Sequence, residues 1–276
     1  MRVIAKERFT FEALSSSAEV VLRRTLSIAV IFLGVATPLA AQQTVLDERA
    51  ASILRSMGDY LASAEELSFS AEVTYDAVSP DGQKLQYGGT AQVALRRPNR
   101  LHVEYDGDED ARTVVIDGQT FTFYDRENNL YARTDVPSPI DAAIDHAFEL
   151  YGFSVPIADL VYTDPYQTLM ENVQSGSVIG RHIVDGVSCD HLAFSQETID
   201  WQIWIEDGPR PLPRKLVITY KSEPGSPQYV ARLSGWDFAP RLSDRYFEFS
   251  VRPGAAEMEF IDVETTTEES DKGGER

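Results

Sequence analysis

The sequence lacks most of the residue patterns on which catalytic and metal sites are built. Its single cysteine, Cys189, excludes an intramolecular disulfide. The four histidines are His102, His146, His182 and His191, and none of them belongs to an HxxxH or similar metal-ligand pair. A GxSxG nucleophile elbow, a phosphate-binding loop and a dinucleotide fingerprint are all missing. We therefore expect no catalytic residue, no metal site and no cofactor.

Basic residues are also scarce. The chain has 25 lysines and arginines against 44 acidic residues, for a formal net charge of -19. Such a charge repels nucleic-acid phosphates and anionic membrane surfaces, so we expect no nucleic-acid partner. It leaves room for an apolar ligand held inside the fold.

Two short patterns offer alternatives to a non-catalytic protein. Cys189 and His191 stand two apart on a predicted strand, hence on one face, as a cysteine nucleophile and its base would. A buried structural cysteine is the favoured interpretation. The run from 106 to 110 has the first ligands of a calcium loop, but Ala111 and Asp117 replace the required glycine and glutamate. A solvated hairpin tip is favoured there.

No apolar run of the sequence reaches the roughly 20 residues that a membrane-spanning helix needs. The run Leu26–Val35 follows Arg23-Arg24 and precedes small residues, as in a signal peptide. We predict a Sec-type signal peptide over residues 1–41 and a periplasmic location, with a retained N-terminal anchor as the alternative. Residues 263–276 have no apolar rhythm and are predicted to be a disordered acidic tail.

The remaining chain is dominated by strands with one apolar face. In Ile199–Glu206, apolar and polar residues alternate with period two, and Trp204 adds a large ring to the polar face. Similar stretches recur from Leu67 to Ile261, joined by short turns, which predicts an up-and-down antiparallel meander whose last strands span 246–251 and 257–261. On the polar phase of one strand, His102 is expected to face solvent. A wide sheet of this kind twists and curls.

Helical periodicity occurs at two places. An apolar stripe over residues 45–63 predicts an amphipathic helix with Thr44 as its N-cap. Residues 138–173 predict a helical insertion between two β halves, which we interpret as a lid over the sheet. With no long linker in between, residues 42–262 are expected to form a single domain.

The curved sheet and its lid can enclose either a filled core or a cavity, and the sequence leaves both open. The residues expected to line a cavity share the inward, apolar phase of their elements. They are Phe69, Val73, Tyr75, Val93, Leu101, Val103, Tyr105, Phe121, Phe123, Ile144, Phe148, Trp201, Ile203, Leu216 and Ile218.

The order of elements and several short motifs resemble a known superfamily. The motifs are Asp117-Gly118 with Phe121 and Tyr124, Asp185-Gly186-Val187 with Cys189 and Leu192, Trp201–Ile205, and Leu212–Lys215. The chain is similar to an uncharacterised family of predicted periplasmic bacterial proteins (domain of unknown function 2092). That family lies within the LolA/LolB-like superfamily of lipoprotein carriers.

The resemblance implies a mainly β fold with helices (α+β). It consists of a strongly curved antiparallel sheet, forming an incomplete β-barrel, with an N-terminal helix and a helical lid. The enclosed apolar cavity would accept acyl chains. Because the chain has no lipobox cysteine, it is more similar to the soluble carrier than to the membrane-anchored receptor. Soluble carriers hold the lid with an inward arginine, for which the sequence offers no clear counterpart.

The expected function is thus a soluble, monomeric periplasmic carrier or binding protein for an acylated or apolar ligand, a lipid or lipoprotein. An envelope protein is a further possible partner. The alternative is a non-catalytic interaction or scaffold module with a filled barrel, in which Trp204 and the acidic surface contact a partner. An envelope hydrolase using Cys189 and His191 ranks third.

Overall fold

The computed structural model of the protein describes residues 46–151 and 156–260. The predicted signal peptide, the Thr44 cap and the predicted acidic tail lie outside these residues. In the described ranges the chain forms three α-helices, two 3₁₀ helices and twelve strands.

The helices are α1 (Glu48–Ala62), α2 (Ile140–Tyr151) and α3 (Pro165–Met170), with 3₁₀ helices at Pro156–Leu160 and Asp244–Phe247. The strands are β1 (Glu66–Val78), β2 (Lys84–Arg96), β3 (Arg100–Gly107), β4 (Ala111–Ile116), β5 (Thr120–Asp125), β6 (Leu130–Asp135), β7 (Ser175–Val184), β8 (Val187–Ser195), β9 (Ile199–Glu206), β10 (Pro213–Tyr220), β11 (Gln228–Asp237) and β12 (Ala256–Glu257).

All twelve strands belong to one sheet, in the order β12-β6-β5-β4-β3-β2-β1-β11-β10-β9-β8-β7. Neighbours pair antiparallel, except that the two-residue β12 runs parallel to β6. Among the described residues, β7 has no strand beyond it, so the sheet is not closed into a barrel. Inner residues from opposite parts of the sheet, such as Phe121 and Phe194, share one hydrophobic core, which requires the sheet to curve. The predicted mainly β fold with an incomplete barrel is confirmed.

Helix α1 packs on the inner side of the second half of the sheet. Its buried residues Ala50, Leu54, Met57 and Leu61 recur every three or four positions and form one apolar stripe. The helix begins after Asp47, whose carboxylate accepts a hydrogen bond from the Arg49 N–H at 2.8 Å. The N-cap is therefore Asp47, three residues after the predicted Thr44.

One long connection joins β6 to β7, two strands near opposite ends of the sheet. It contains α2, the 3₁₀ helix at Pro156–Leu160 and α3, all within the helical insertion that the sequence predicts over residues 138–173. We call the described residues 140–151 and 156–170 the helical segment. Asp164 caps α3 by accepting a hydrogen bond from the Gln167 N–H at 2.9 Å.

The chain after β11 covers the outer face of the first half of the sheet. Phe247 is fully buried there. The ring of Phe249 lies 5.4 Å from that of Tyr124 and 5.5 Å from that of Tyr131. The sequence predicts strands over 246–251 and 257–261, but only Ala256–Glu257 pairs with a neighbour. Most of the backbone of this segment makes no β-ladder hydrogen bonds. Its aromatic side chains are therefore the main contacts that hold it to the sheet.

The chain after β11 also explains why the expectation for His102 is wrong. Its side chain is 13% exposed, and its Nδ1 lies 2.6 Å from the main-chain oxygen of Tyr246. Alternation along β3 correctly places His102 on the outer face. The pattern gives no sign that a distant segment lies over that face.

A glycine in α1 sets the distance between α1 and α3. A Cβ atom at Gly58 would lie 2.7 Å from Cβ and 2.8 Å from the main-chain nitrogen of Tyr166. Gly58→Ala should gain about 1 kcal/mol in helix propensity, but this overpacking costs about 1–3 kcal/mol. Since backbone cannot yield easily, we expect a net loss of stability in urea unfolding. Ser52→Ala, at an exposed position of the same helix, is the control and should not destabilise. A Gly58→Ala protein more stable than wild type would contradict this close approach.

Candidate functional site

The inner face of the sheet carries a row of large side chains that runs directly across five strands. Tyr75 is paired with Tyr229, Tyr229 with Ile218, Ile218 with Trp201, and Trp201 with Phe194. We call these five residues the aromatic row. The rings of Trp201 and Phe194 stack at 4.2 Å. Strand register therefore places residues that are far apart in the sequence, such as Tyr75 and Tyr229, side by side.

Small residues form the inner surface beside this row. Val73 pairs with Gly89 and with Ala231, and Gly89 pairs with Gly107. The Tyr105 ring lies against the two glycines, since a Cβ at either position would come within 2.5 Å of it. The missing side chains thus leave room above the middle of the sheet for the Tyr105 ring.

The structure places the predicted cavity residues on this inner side. Ten of them belong to the hydrophobic core: Phe69, Val73, Val93, Leu101, Tyr105, Phe121, Trp201, Ile203, Leu216 and Ile218. Four are half-buried and pack against it: Tyr75, Val103, Phe123 and Ile144. Phe148 is half-buried on α2. The inward placement of the other fourteen is observed, and the contact of all fifteen with a ligand stays a prediction.

Side chains fill much of this interior. Trp201, Ile203, Leu216 and Ile218 are completely inaccessible to solvent. Two open depressions of the described surface, of about 320 and 370 Å³, have mainly polar walls. Neither is lined by a residue of the helical segment. A ligand in the interior would therefore have to displace side chains or the helical segment.

The helical segment contributes its own apolar residues to the same core: Ile140, Ala143, Ala147, Ile157, Leu160 and Leu169. It is also tied within itself, because the Tyr162 hydroxyl donates to the Asp145 carboxylate at 2.8 Å. Asp141 accepts hydrogen bonds from the main-chain N–H and the hydroxyl of Thr163. These bonds keep α2 and the chain after the 3₁₀ helix together as one cover.

Arg97, the residue directly after β2, binds the helical segment to the sheet. Its guanidinium donates to the main-chain oxygens of Val161 at 3.2 Å and Tyr162 at 2.9 Å. Burial lowers the pKa of Arg97, although a guanidinium remains charged. Arg97 is an arginine from the sheet bound to the helical segment, which the sequence did not identify. The only sequence signal is the pair Arg96-Arg97 at a strand end, which sends the two side chains in opposite directions.

The polar groups of the aromatic row are the hydroxyls of Tyr75 and Tyr229 and the indole N–H of Trp201, and all three can donate a hydrogen bond. Burial is the main cause of the raised pKa of the Tyr229 and Tyr75 hydroxyls, which therefore stay protonated. The Tyr75 hydroxyl donates to Glu109 at 2.7 Å. Trp201 is fully buried, and its indole N–H has no hydrogen-bond partner among the described residues. A buried donor without a partner costs about 1–3 kcal/mol, which an acceptor on a ligand would recover.

The structure does not join Cys189 and His191 into a catalytic pair. The Cys189 thiol donates to the main-chain oxygen of Val187, and burial raises its pKa, which disfavours the thiolate nucleophile. The two ring nitrogens of His191 face His182 and Gln202 at 3.0 Å each. The arrangement supports the structural interpretation of this cysteine.

The acidic run at 106–110 forms the hairpin tip between β3 and β4, as predicted. Asp106 pairs with Arg126 at 2.7 Å, and Asp108 accepts the Gly88 N–H at 2.7 Å. In the described ranges, no three or more His, Cys, Asp or Glu side chains are grouped so as to hold a metal ion.

A family model matches residues 50–261 of this sequence, nearly all of the described fold. The chain belongs to the family of predicted periplasmic proteins (DUF2092). This confirms the family resemblance and the periplasmic location expected from the sequence. None of the helices in the two described ranges is long and apolar enough to cross a membrane. No curated protein matches the chain significantly in sequence.

Solved structures with a similar arrangement share little sequence with the chain. The lipoprotein LppX of Mycobacterium tuberculosis is 12% identical over 75% of this chain and 100% of its own, with a TM-score of 0.43. An uncharacterised conserved protein of Thermus thermophilus is 12% identical over 76% and 99%, with a TM-score of 0.45. A LolA superfamily protein of Nitrosomonas europaea is 12% identical over 72% and 97%, with a TM-score of 0.36. Nothing about a ligand follows from likenesses of this degree.

The buried His191 should make stability depend on pH. Burial is the main cause of its lowered pKa, and His182 and Lys215 lower it further. The hydrogen bond to Gln202 acts in the opposite direction. Below the usual histidine pKa of about 6.5, the unfolded chain takes up a proton that folded His191 does not. Stability should therefore fall as the pH drops from about 6.5 to the lower folded pKa.

Urea unfolding between about pH 8 and pH 5 measures this dependence. His191→Gln should flatten the decline, whereas His146→Gln, which removes a histidine from α2, should leave it as in wild type. An unchanged decline in His191→Gln would show that other groups cause it.

Proposed function

We propose that this protein is a non-catalytic periplasmic binding protein or carrier for an apolar or acylated ligand, a lipid or the acyl chains of a lipoprotein. The ligand would lie between the inner face of the sheet and the helical segment. The observation that carries the proposal is topological. The helical segment joins the two ends of an unclosed sheet, lies on its apolar face and belongs to no strand ladder.

Such a cover can move without breaking the sheet. The ladders from β6 through β1 and β11 to β7 are complete without it. The side-chain bonds of Arg97 to two main-chain oxygens, and the hydrogen bond from the Ile140 N–H to the Pro98 oxygen, are among the polar contacts that would have to open. Displacing the cover would expose apolar surface, and an acyl chain would cover that surface again, at about 0.8 kcal/mol for each buried CH₂ group.

The inner surface also suits a chain with one polar end. The small residues Ala71, Gly89, Ala91 and Ala231 limit how much of the space is taken by the sheet itself. The aromatic row crosses the sheet on one side of them, with the unpartnered Trp201 N–H as a donor. An ester or amide oxygen would supply the acceptor that this donor lacks.

The filled interior favours a second candidate, a non-catalytic envelope interaction module that binds a partner on its surface. The edge strand β7 exposes Ile179 and Ile183, at 52% and 76%. Edge strands with exposed apolar residues pair readily with other chains. For this candidate the inward residues serve only as core.

A pair of matched substitutions separates the two candidates. Ile144→Arg places a charge where the helical segment meets the core, and should weaken binding of a fluorescent acyl probe by about tenfold or more because a buried charge is costly. Ile183→Arg adds the same charge at an exposed position and should leave probe binding unchanged. Circular dichroism and thermal unfolding would verify that both variants fold.

Native mass spectrometry of protein purified gently from periplasm should also detect bound lipid. If delipidated wild-type protein binds no acyl probe and carries no lipid, the carrier proposal is wrong. If Ile183→Arg alone abolishes capture of an envelope protein, the interaction module is supported instead.

Arg97 offers a test of the movable cover. Arg97→Met should loosen the helical segment and raise hydrogen–deuterium exchange over residues 156–170, because the two bonds to main-chain oxygens are lost. Arg96→Met is the matched control, since Arg96 instead pairs with Glu66 and Asp244 at 2.5 Å each. Equal exchange in the two variants over 156–170 would show that Arg97 does not hold the cover.

A further inference from the structure

The outer face of the second half of the sheet carries a stack of ring and charged side chains. The rings of His191 on β8 and Trp204 on β9 stack at 3.9 Å with 11° between their planes. On the next strand, the Lys215 ammonium lies 4.6 Å from the centre of the Trp204 ring. On the opposite side, Nδ1 of His182 on β7 lies 3.0 Å from Nδ1 of His191. We call His182 and His191 the imidazole pair.

Gln202 determines which nitrogen of His191 carries the proton. Its side-chain oxygen Oε1 lies 3.0 Å from Nε2 of His191, so Nε2–H donates and Nδ1 keeps its lone pair. That lone pair faces His182. Metal-binding histidines are oriented in the same way, by a hydrogen bond from the ring nitrogen that does not bind the metal. The Trp204 ring fixes the plane of the imidazole in addition.

We propose that the imidazole pair is a binding site for a divalent transition-metal ion, with Cu²⁺ favoured. Metal–nitrogen bonds of about 2.0–2.1 Å and the observed separation of 3.0 Å give a nitrogen–metal–nitrogen angle of about 90–100°. A tetrahedral zinc site would need a separation of about 3.3–3.4 Å. Angles near 90° suit the tetragonal geometry of Cu²⁺ and Ni²⁺, and Cu²⁺ binds nitrogen ligands most strongly of the divalent series.

Accessibility supports the site. His182 is exposed, so its ring can tilt and direct its lone pair to a shared ion while its Nδ1 stays about 3.0 Å from that of His191. The described residues offer no third protein ligand of the His, Cys, Asp or Glu type, so water would complete the coordination. This makes the site an open one, at which an ion is accessible to exchange.

The surrounding charges do not exclude a cation. The Arg181 guanidinium lies 2.7 Å from Asp207 and 3.5 Å from Asp190, which neutralise it. Lys215 lies beyond the Trp204 ring, and its charge still acts on His191. The net charge of -19 attracts cations to the protein as a whole. The proposed site is independent of the acyl ligand, because the imidazole pair lies on the opposite face of the sheet.

The test is a titration of untagged full-length protein with Cu²⁺, followed by isothermal titration calorimetry and electron paramagnetic resonance at about pH 7.5. We expect one equivalent to bind with a spectrum showing two imidazole nitrogens. His182→Ala removes the exposed ligand, leaves the core untouched and should weaken binding at least tenfold. Gln202→Leu removes the orienting bond and should weaken it by about tenfold. His146→Ala, the matched histidine control, should bind as the wild type does.

Two results would overturn the proposal. One is the absence of Cu²⁺ binding by the wild type at about one equivalent, which would leave the imidazole pair as a hydrogen bond only. The other is equal affinity of wild type and His182→Ala, which would place the ion elsewhere. Weaker binding of Ni²⁺ and Zn²⁺ than of Cu²⁺, lost in the same variant, supports the proposal.

Discussion

The burial of one apolar sheet face without closure of the sheet is the constraint on which this structure depends. Twelve strands with an apolar inner face expose far too much surface unless that face is covered. A closed barrel would solve the problem by joining its edges, but here β7 and the β6–β12 end remain apart. Helix α1 and the helical segment cover the face instead. The position of both, and of Arg97 beneath them, follows from that requirement.

Local periodicity was sufficient to predict most of the sheet. In β9, Ile199, Trp201, Ile203 and Ile205 alternate with polar residues, and all four are buried. The alternation of apolar and polar residues identifies the side chains of each strand that point inward, because the two faces of a strand differ in burial. It also gave α1, since its stripe recurs at helical spacing. Strand register across the sheet, which forms the aromatic row, has no local signal.

The errors have a common physical origin in contacts between distant parts of the chain. Tyr246–Val251 alternates like a strand, yet its Phe247 and Phe249 cover the outer face of the sheet. His102 is expected in solvent because nothing near it in the sequence indicates that Tyr246 lies over it. Arg97 is one of two adjacent arginines, and only the folded chain shows which one reaches Val161. Asp47 and Thr44 are both common N-cap residue types, and the contacts of the folded chain show that the helix begins after Asp47.

The lack of a side chain at Gly58 links parts of the molecule that would otherwise be independent. Because α1 and α3 approach until their backbones nearly touch, a change in the position of α3 pushes directly on α1. Residues just before α1 are in turn attached to the free edge of the sheet. Leu46 forms a bridge with Gly176, and the Asp47 N–H donates to the Gly176 oxygen. Movement of the helical segment would thus be transmitted through helix α1 to the edge strand β7.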